Sequence, residues 1–394
     1  MIRFYFFIFT FSSFFICLSQ PNLFETSTQS VPLLVHDHNK QIALEINEDY
    51  FQSINQVNPC DLNIIIPSFE GDSLNLHLEA FNPFTKDFQL LRRTDDGLIY
   101  DDYQPSIKSY RIIGNEDWSG SISFLDNLLI GVIKKSGHIY ELKLIQDNTY
   151  VLYDVANSLT PPNFSCQTLT EDIEIDNDLS LQYGGSECVE MAIDIDYYTF
   201  LEFNSNCYDA VDWALAVLAG VSEVYMAELD NMVFLQARYI NVWEIIENYD
   251  PLNDCSDMLD EMPNYWNNPP FDDINDQTDL VHLFSRKQAN GGVAYVGATC
   301  DNNFGYGVSS GLNTNLAYNY PDNTPFSYNL SYIGHELGHN FGASHTHSCV
   351  WDADASLNFP GGAIDGCYPV EGNCSNPGNP PNQTWQQSLG TIMS

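Results

Sequence analysis

The hydrophobic pattern divides the chain into regions of different texture. From about residue 30 to residue 155, short stretches of apolar residues are separated by turn residues, as at 64–66, 74–78, 122–125, 129–133 and 140–144. Apolar and polar positions that alternate with a period of two are typical of half-buried strands. The pattern therefore predicts a β-rich unit over residues 21–165.

A polar stretch follows this unit. Residues 166–187 contain the acidic run 171–178 and the pair Gly184-Gly185. Such a composition cannot bury a core, so we predict a linker here. An exposed linker is also where a precursor is most easily cut, and we expect maturation between about residues 167 and 187. The linker has no pair of basic residues, so cleavage there requires the protein itself or a peptidase of another specificity.

Beyond the linker, predicted strands and helices alternate. Strands are predicted at 189–195, 232–245, 279–284 and 292–297, a long helix at 208–228, and a second helix at 255–266. Alternation of this kind predicts a mixed α and β unit, with helices crossing over a sheet. We assign this unit to residues 188–394.

The first twenty residues have the layout of a secretory signal peptide. Arg3 precedes an apolar run from residue 4 to residue 18, and a short polar exit follows. The run is shorter than the roughly 20 residues that span a bilayer, so cleavage is favoured over a permanent anchor. No later stretch is predicted to cross a membrane. We therefore expect a secreted protein without stable membrane insertion, and the sequence leaves its oligomeric state open.

Acidic residues dominate the charge of the chain. Lys and Arg number 13 against 53 Asp and Glu, which gives a net charge of −40. A polyanion such as nucleic acid would be repelled, so nucleic acid is excluded as a partner. Acidic clusters could hold Ca²⁺, but no twelve-residue calcium-loop pattern is present, and a calcium site therefore has no support.

One helix is predicted to carry the chemistry. Thr324 is a suitable N-cap and Pro325 suits the first helical position. Apolar residues then recur at helical spacing and define one buried stripe, which consists of Phe326, Leu330, Ile333, Leu337 and Phe341. We predict a helix over about residues 325–341.

Three histidines at and beyond the end of this helix have the spacing of metal ligands. His335 and His339 are four residues apart and share one helical face. If the helix continued, a ligand ten residues beyond His335 would lie about 15 Å from it along the helix axis. The chain must therefore turn back before His345. Gly342 suits that turn because glycine accepts the left-handed conformation, and His345 then returns to the metal.

Three histidine ligands with an open fourth position are typical of catalytic zinc. We predict one catalytic Zn²⁺ held by His335, His339 and His345. Glu336 lies one step round the helix and is placed to take a proton from a water molecule that attacks a peptide carbonyl. The alternative is a secreted binding or adhesion module that zinc stabilises and that has lost catalysis. The presence of Glu336 argues against that alternative.

At these residues the sequence resembles the metzincin superfamily of zinc peptidases. The extended motif HExxHxxGxxH is matched at every specified position, from His335 to His345. Residues 390–394, GTIMS, resemble the methionine turn below the zinc, which assigns Met393 to that turn. The wording HELGHN resembles the adamalysin or reprolysin branch. Thr346 departs from that branch, which commonly has Asp there, so another metzincin branch stays open.

The resemblance has several implications for the rest of the chain. It implies a metallopeptidase domain with a mixed, mostly parallel sheet, and a zinc endopeptidase that acts on extracellular proteins or peptides. The leading unit resembles a propeptide at residues 110–114 and 129–140, which implies a latent zymogen. A strand is similar to the edge strand that binds substrate, and it contains Gly292, Val293, Ala294 and Tyr295. We expect the catalytic domain to continue beyond Ser394.

The cysteines leave two interpretations open. Nine remain once Cys17 is removed with the signal peptide, and export favours disulfides for most of them. We expect Cys367 and Cys374 to staple the Pro- and Gly-rich loop region between residues 358 and 387. Cys166 is either a cysteine switch, in which its thiolate occupies the fourth zinc position, or the partner of Cys60 in a disulfide.

Overall fold

The computed structural model describes residues 22–114, 118–169, 187–353, 360–366 and 369–376, together with Met393. The predicted signal peptide, most of the predicted linker and the neighbours of Met393 in the predicted methionine turn lie outside the described residues. The described residues form two sheets. One core belongs to the first sheet, and another core joins residues of both sheets.

The first sheet belongs to the leading unit. In chain order the strands of this unit are β1 (Phe24–Thr26), β2 (Gln41–Ile46), β3 (Asp61–Pro67), β4 (Ser73–Phe81), β5 (Phe84–Thr94), β6 (Gly97–Asp101), β7 (Lys108–Ile113), β8 (Trp118–Phe124), β9 (Leu129–Lys135), β10 (His138–Gln146) and β11 (Thr149–Asp154). Nine of them form an antiparallel sheet in the order β1-β2-β11-β10-β9-β8-β7-β4-β3. Helix α1 (Glu48–Val57) buries Phe51 and Ile54 against its core. The prediction of a β-rich unit agrees with this architecture.

The second sheet contains the remaining strands. These are β12 (Cys166–Leu169), β13 (Glu187–Ile195), β14 (Val233–Trp243), β15 (Leu280–Phe284), β16 (Gly292–Tyr295) and β17 (Tyr306–Ser309). With β5 and β6 they form an eight-stranded sheet in the order β12-β16-β17-β15-β13-β14-β5-β6. Five of its seven strand pairings are parallel. The unit therefore has the predicted mixed α and β content.

Helices cover both faces of the second sheet. They are α2 (Tyr197–Glu202), α3 (Cys207–Glu228), α4 (Cys255–Trp266), α5 (Asp272–Asn275) and α6 (Ser327–Asn340). Helices α3 and α6 pack in one core, whereas α4 and α5 pack in another, on the opposite face. Pro263 lies inside α4 without ending the helix.

A hairpin of the leading unit completes the second sheet. Strand β5 pairs in parallel with β14, and β6 closes the edge beyond it. Arg92 of β5 holds this arrangement because its guanidinium bonds Glu244, at 2.5 and 3.1 Å, and Asp101, at 3.0 Å. The predicted boundary at residue 165 therefore does not separate the two sheets. Strands β5 and β14 are far apart in the sequence, and the local alternation of apolar and polar residues does not indicate that they pair.

Helix α3 is buried on all sides. It packs against β14 of the second sheet, against α6, and against β8 of the leading unit. This explains why apolar residues surround the helix axis, since a helix with no solvent face needs no polar stripe. By length and composition α3 could cross a membrane, which corrects the expectation that no later stretch could do so. Its burial identifies it as a core helix.

The cysteine pairing differs from the prediction. Cys374 forms a disulfide with Cys349, with Cα atoms 5.7 Å apart, and Cys367 lies outside the described residues. Of the other cysteines that the structure describes, six are free thiols, including Cys60 and Cys166. The predicted Cys367–Cys374 staple and the alternative Cys60–Cys166 disulfide are therefore wrong. Sequence separation alone cannot identify partners, because disulfides require specific Cα distances.

Helix α6 begins later than the sequence predicts, at Ser327 instead of Pro325. Its N-cap position is Phe326, which cannot cap through its side chain. The carboxylate of Glu141, on β10, takes that role from outside the helix. It accepts hydrogen bonds from the backbone N–H groups of Phe326 and Ser327, both at 3.0 Å, and from the Ser327 hydroxyl. The predicted apolar stripe of α6 is buried from Phe326 to Leu337.

The Glu141 carboxylate is part of a buried polar cluster between the two units. The Tyr153 hydroxyl donates to it at 2.6 Å, and the Lys143 ammonium lies 3.8 Å away. Lys143 donates to the Thr324 carbonyl at 3.0 Å, and burial lowers its pKa. Glu141 and Lys143 are almost inaccessible to solvent, so each depends on protein partners for the hydrogen bonds that water would supply.

We expect Glu141→Ala to lower the free energy of unfolding of the full chain by about 3–5 kcal/mol, because it leaves the buried Lys143 ammonium without its charge partner and the N–H groups of Phe326 and Ser327 without an acceptor. Urea denaturation would measure the change. The matched control is Glu25→Ala on β1, which removes an exposed carboxylate and should change stability by less than about 0.5 kcal/mol. Equal effects of the two substitutions would contradict a capping role for Glu141.

Candidate metal centre

The three predicted histidine ligands come together at the end of α6. The His335 and His339 rings lie on one face of the helix, with centroids 4.9 Å apart. The helix ends in a turn at Gly342, which has φ of 92°, and the Ala343 N–H donates to the Gly338 carbonyl at 2.9 Å. This turn brings the His345 ring back to within 5.1 Å of His335 and 4.8 Å of His339.

Cys166 joins the histidines from the leading part of the chain. Its Sγ lies 3.3 Å from Nε2 of His339, and the Nε2 atoms of His335 and His345 are 3.1 Å apart. One ligand atom from each of these four residues lies within 4.8 Å of the others. Zinc–nitrogen bonds of about 2.0–2.1 Å in a tetrahedron separate two nitrogens by about 3.3 Å. The observed separations and the donor types fit a zinc ion.

Hydrogen bonds fix the protonation of two of the rings. His339 Nδ1 lies 2.8 Å from the Ala343 carbonyl, and His345 Nδ1 lies 2.9 Å from Oε1 of Glu371. Both partners are acceptors, so each Nδ1 carries the proton and each Nε2 directs a lone pair at the cluster. Burial lowers the pKa of His339 to about 3, which keeps the ring neutral. Neutral imidazole is the form that binds a metal.

Glu336 lies inside the protein beside this cluster. Its Oε2 is 3.8 Å from the Cys166 sulfur, and its Oε1 has no hydrogen-bond partner among the described residues. Burial raises the pKa of this carboxyl group. A divalent cation at the donor cluster would lower it again, because the cation stabilises the carboxylate. An unpaired, buried carboxylate oxygen is available to accept a proton.

The predicted substrate strand lies directly against Glu336. A Cβ atom added to Gly292 would sit 2.4 Å from Oε1 of Glu336, so only glycine permits this approach. The strand, β16, contains Gly292, Val293, Ala294 and Tyr295, all buried. It is not an edge strand here: β17 pairs on one side and β12 on the other. Residues 166–169 of the same chain cover the edge that the sequence predicts to be open.

The segment that carries Cys166 is held in place by several contacts. The Phe164 ring stacks on Tyr332 of α6, with centroids 4.3 Å apart, and contacts the edge of His335. The Asn163 N–H donates to the Tyr332 hydroxyl at 3.1 Å, and the Gly292 N–H donates to the Ser165 carbonyl at 3.0 Å. We call residues 163–169 the Cys166 segment. Burial raises the pKa of the Cys166 thiol.

Met393 lies below the histidines. Its sulfur is close to Gly338, in the helical turn between His335 and His339. Its carbonyl accepts hydrogen bonds from the Thr346 N–H, at 3.1 Å, and from the Thr346 hydroxyl, at 3.3 Å. Thr346 therefore ties the chain after His345 to Met393. The other residues of the predicted methionine turn lie outside the described residues.

Sequence reasoning missed two residues of the centre. His347 is buried, stacks on His345 with ring centroids 4.7 Å apart, and places Nε2 3.3 Å from Glu371 Oε1. Glu371 comes from a distant loop whose local pattern carries no motif. Among the described residues, two clusters have the composition of a metal site, and both contain histidine. Neither has the all-oxygen donor set that calcium prefers.

Comparisons with known proteins found similarity to metallopeptidases. Residues 214–346 match the family model described as metallo-peptidase family M12B, reprolysin-like. Metalloproteinase-II from Bacteroides fragilis is similar in structure, with a TM-score of 0.43 and 11% identity, over 87% of this chain and 95% of that chain. No protein of curated function matches the chain in sequence. The part of the chain that includes α3, α6 and the three histidines is thus similar to the reprolysin-like metallopeptidases of family M12B.

Proposed function

We propose that this chain is a secreted zinc-dependent endopeptidase, made as a latent precursor, which hydrolyses peptide bonds of extracellular proteins. One observation carries the proposal. An extended segment of the chain itself pairs with β16 and brings residue 166 to the histidine cluster and to Glu336. A substrate peptide in the same groove would present its backbone to the same groups, as in other cases of strand addition to a sheet edge.

Each residue has a defined part in the proposed reaction. His335, His339 and His345 would hold the ion, and zinc bound there would polarise a peptide carbonyl and acidify a water molecule. Oε1 of Glu336, which has no other partner among the described residues, takes the proton of the attacking water. Glu336 then passes that proton to the nitrogen of the leaving amine. Backbone groups of β16 hold the substrate extended while this happens.

The position of the Cys166 segment supports latency of the precursor. The Cys166 sulfur lies against His339 and Glu336, where the attacking water would have to bind. β12 occupies the side of β16 that a substrate strand would need. The precursor would therefore be silent for two reasons, because a thiolate is a strong zinc ligand and because the groove is filled.

Export is supported by two features of the chain. The first twenty residues have the layout of a signal peptide, and a disulfide joins Cys349 to Cys374. Disulfides of this kind persist in oxidising compartments outside the cytosol. A protein that acts there meets extracellular substrates, which is the substrate class that we propose.

The precursor should bind about one zinc ion per chain, and His335→Ala, His339→Ala and His345→Ala should each lower zinc retention, because three protein ligands hold a catalytic zinc. Metal analysis after dialysis would measure this. His36→Ala removes an exposed histidine and serves as the control. Full zinc content in any of the three ligand variants would contradict the proposed ligand set.

Glu336→Gln should reduce peptide hydrolysis about 10²–10⁴-fold while zinc content stays unchanged, because general acid–base catalysis contributes a factor of that size. The assay uses mixed protein substrates after limited proteolysis of the linker, with and without a zinc chelator. Glu202→Gln, which alters an exposed carboxylate, should be fully active. Undiminished biological activity of the Glu336 variant would favour the catalytically silent binding module instead.

Cys166→Ala should give the uncleaved precursor measurable activity, below that of the cleaved form, because alanine cannot fill the fourth position at the metal while β12 still covers β16. Hydrolysis of a peptide substrate by intact precursor, verified by mass spectrometry, would measure the effect. Cys60→Ala removes a free, exposed thiol elsewhere and should leave the precursor silent. A folded, zinc-loaded Cys166→Ala precursor without activity would show that the thiol does not impose latency.

A further inference from the structure

A carboxylate lies behind one of the three histidines, outside the zinc motif. Oε1 of Glu371 is 2.9 Å from Nδ1 of His345, and Nε2 of the same ring faces His335 Nε2 at 3.1 Å. The His345 ring therefore bridges the carboxylate and the donor cluster. Thr346 occupies the position where the resemblance leads one to expect an acid, and Thr346 bonds the Met393 carbonyl instead.

Backbone hydrogen bonds hold Glu371 in this position. The Glu371 N–H donates to the His347 carbonyl at 3.1 Å, and the Cys349 N–H donates to the Glu371 carbonyl at 2.9 Å. Three residues further along, Cys374 is joined to Cys349 by the disulfide. The loop with Glu371 is thus fastened to the segment that follows His345, and the disulfide closes this ribbon of residues 345–349 and 371–374.

We propose that Glu371 is a positioning residue of the metal centre, a role that rests on the zinc site proposed above. The carboxylate holds the proton on Nδ1 of His345 and fixes the ring with Nε2 towards the metal. Its negative charge also makes the imidazole a stronger donor, which is the known effect of a carboxylate hydrogen-bonded to a metal-binding histidine. The Cys349–Cys374 disulfide keeps Glu371 at that distance and so contributes to zinc retention.

His347 contacts the same Glu371 carboxylate as His345 does. Its Nε2 is 3.3 Å from the same oxygen, and its ring is stacked on His345 at an interplanar angle of 14°. The shorter contact is the one to His345. His347 therefore packs the ring and the carboxylate from one side, which restricts the rotation of both.

The experiment measures the zinc dissociation constant of the full chain by competition with a chromophoric chelator. Glu371→Ala should weaken zinc binding about 10–100-fold, the usual effect of removing such a partner. Glu371→Gln keeps an oxygen acceptor for His345 but loses the charge, so it should weaken binding less than alanine. Glu371→Asp, which restores the charge on a shorter side chain, should recover part of the affinity.

A spectroscopic signature separates this role from a loss of structure. With Co²⁺ in place of zinc, Glu371→Gln should shift the visible absorption bands, because the donor strength of His345 changes. Asp352→Asn is the matched control: it removes one exposed carboxylate next to Trp351, on the other side of Cys349, and should leave the affinity and the spectrum unchanged. Thermal unfolding of the metal-free variants checks that all of them fold.

The disulfide provides an independent test. The double variant Cys349→Ser, Cys374→Ser should bind zinc more weakly than the wild type, and Glu371→Ala should add little to it, because both changes release the same carboxylate. Zinc affinity of Glu371→Ala and Glu371→Gln within twofold of the wild type would overturn the positioning role while leaving the proposed zinc site intact. A wild-type chain that binds no zinc would overturn both.

Discussion

Neutral imidazole nitrogens that converge on one point repel one another unless a cation or a proton lies between them. The fold of this chain forces such a convergence: His335 and His345 bring Nε2 atoms to 3.1 Å, and the ring of His339 is held neutral by burial. Other features of the second unit serve this arrangement. α6 aligns two rings, the turn at Gly342 returns the third, and the disulfide ribbon fixes the segment that follows it. This geometry therefore favours the binding of a cation of suitable size.

Local features of the centre could be predicted from the sequence, whereas its supports could not. The spacing of the histidines, the turn at the glycine and the apolar stripe of α6 lie within a stretch about six helical turns long. Over that length, helix geometry determines which side chains come together. Glu141 is 185 residues from Phe326, and Glu371 is 26 residues from His345 in a loop without regular structure. Neither contact follows from a periodicity. The hairpin β5–β6 likewise alternates like any other strand pair, and nothing in its pattern indicates which sheet it joins.

Contacts between the two units include buried polar contacts beside an apolar core. Glu141 caps α6, Arg92 bonds Glu244, and Lys143 holds the Thr324 carbonyl. Burying charges costs free energy that the ion pairs repay only when all partners are in place. These polar contacts favour one relative arrangement of the two units, because a displaced partner leaves an uncompensated charge. The leading unit is thus matched to one arrangement of the second unit, in which the N-terminus of α6 and the groove beside β16 are both covered.

The pairing of β5 with β14 determines what cleavage of the linker would achieve. Breaking the backbone between β12 and β13 leaves β5 hydrogen-bonded to β14 at the opposite border of the sheet. The cleaved molecule would consist of two polypeptides that share one sheet. The leading polypeptide could leave only after the hydrogen bonds between its strands and this sheet are broken. The two polypeptides would therefore stay associated after cleavage until these strands separate. Removal of the β5–β6 hairpin would also expose the backbone N–H and C=O groups of β14, and a strand of a second molecule can pair with such an exposed edge.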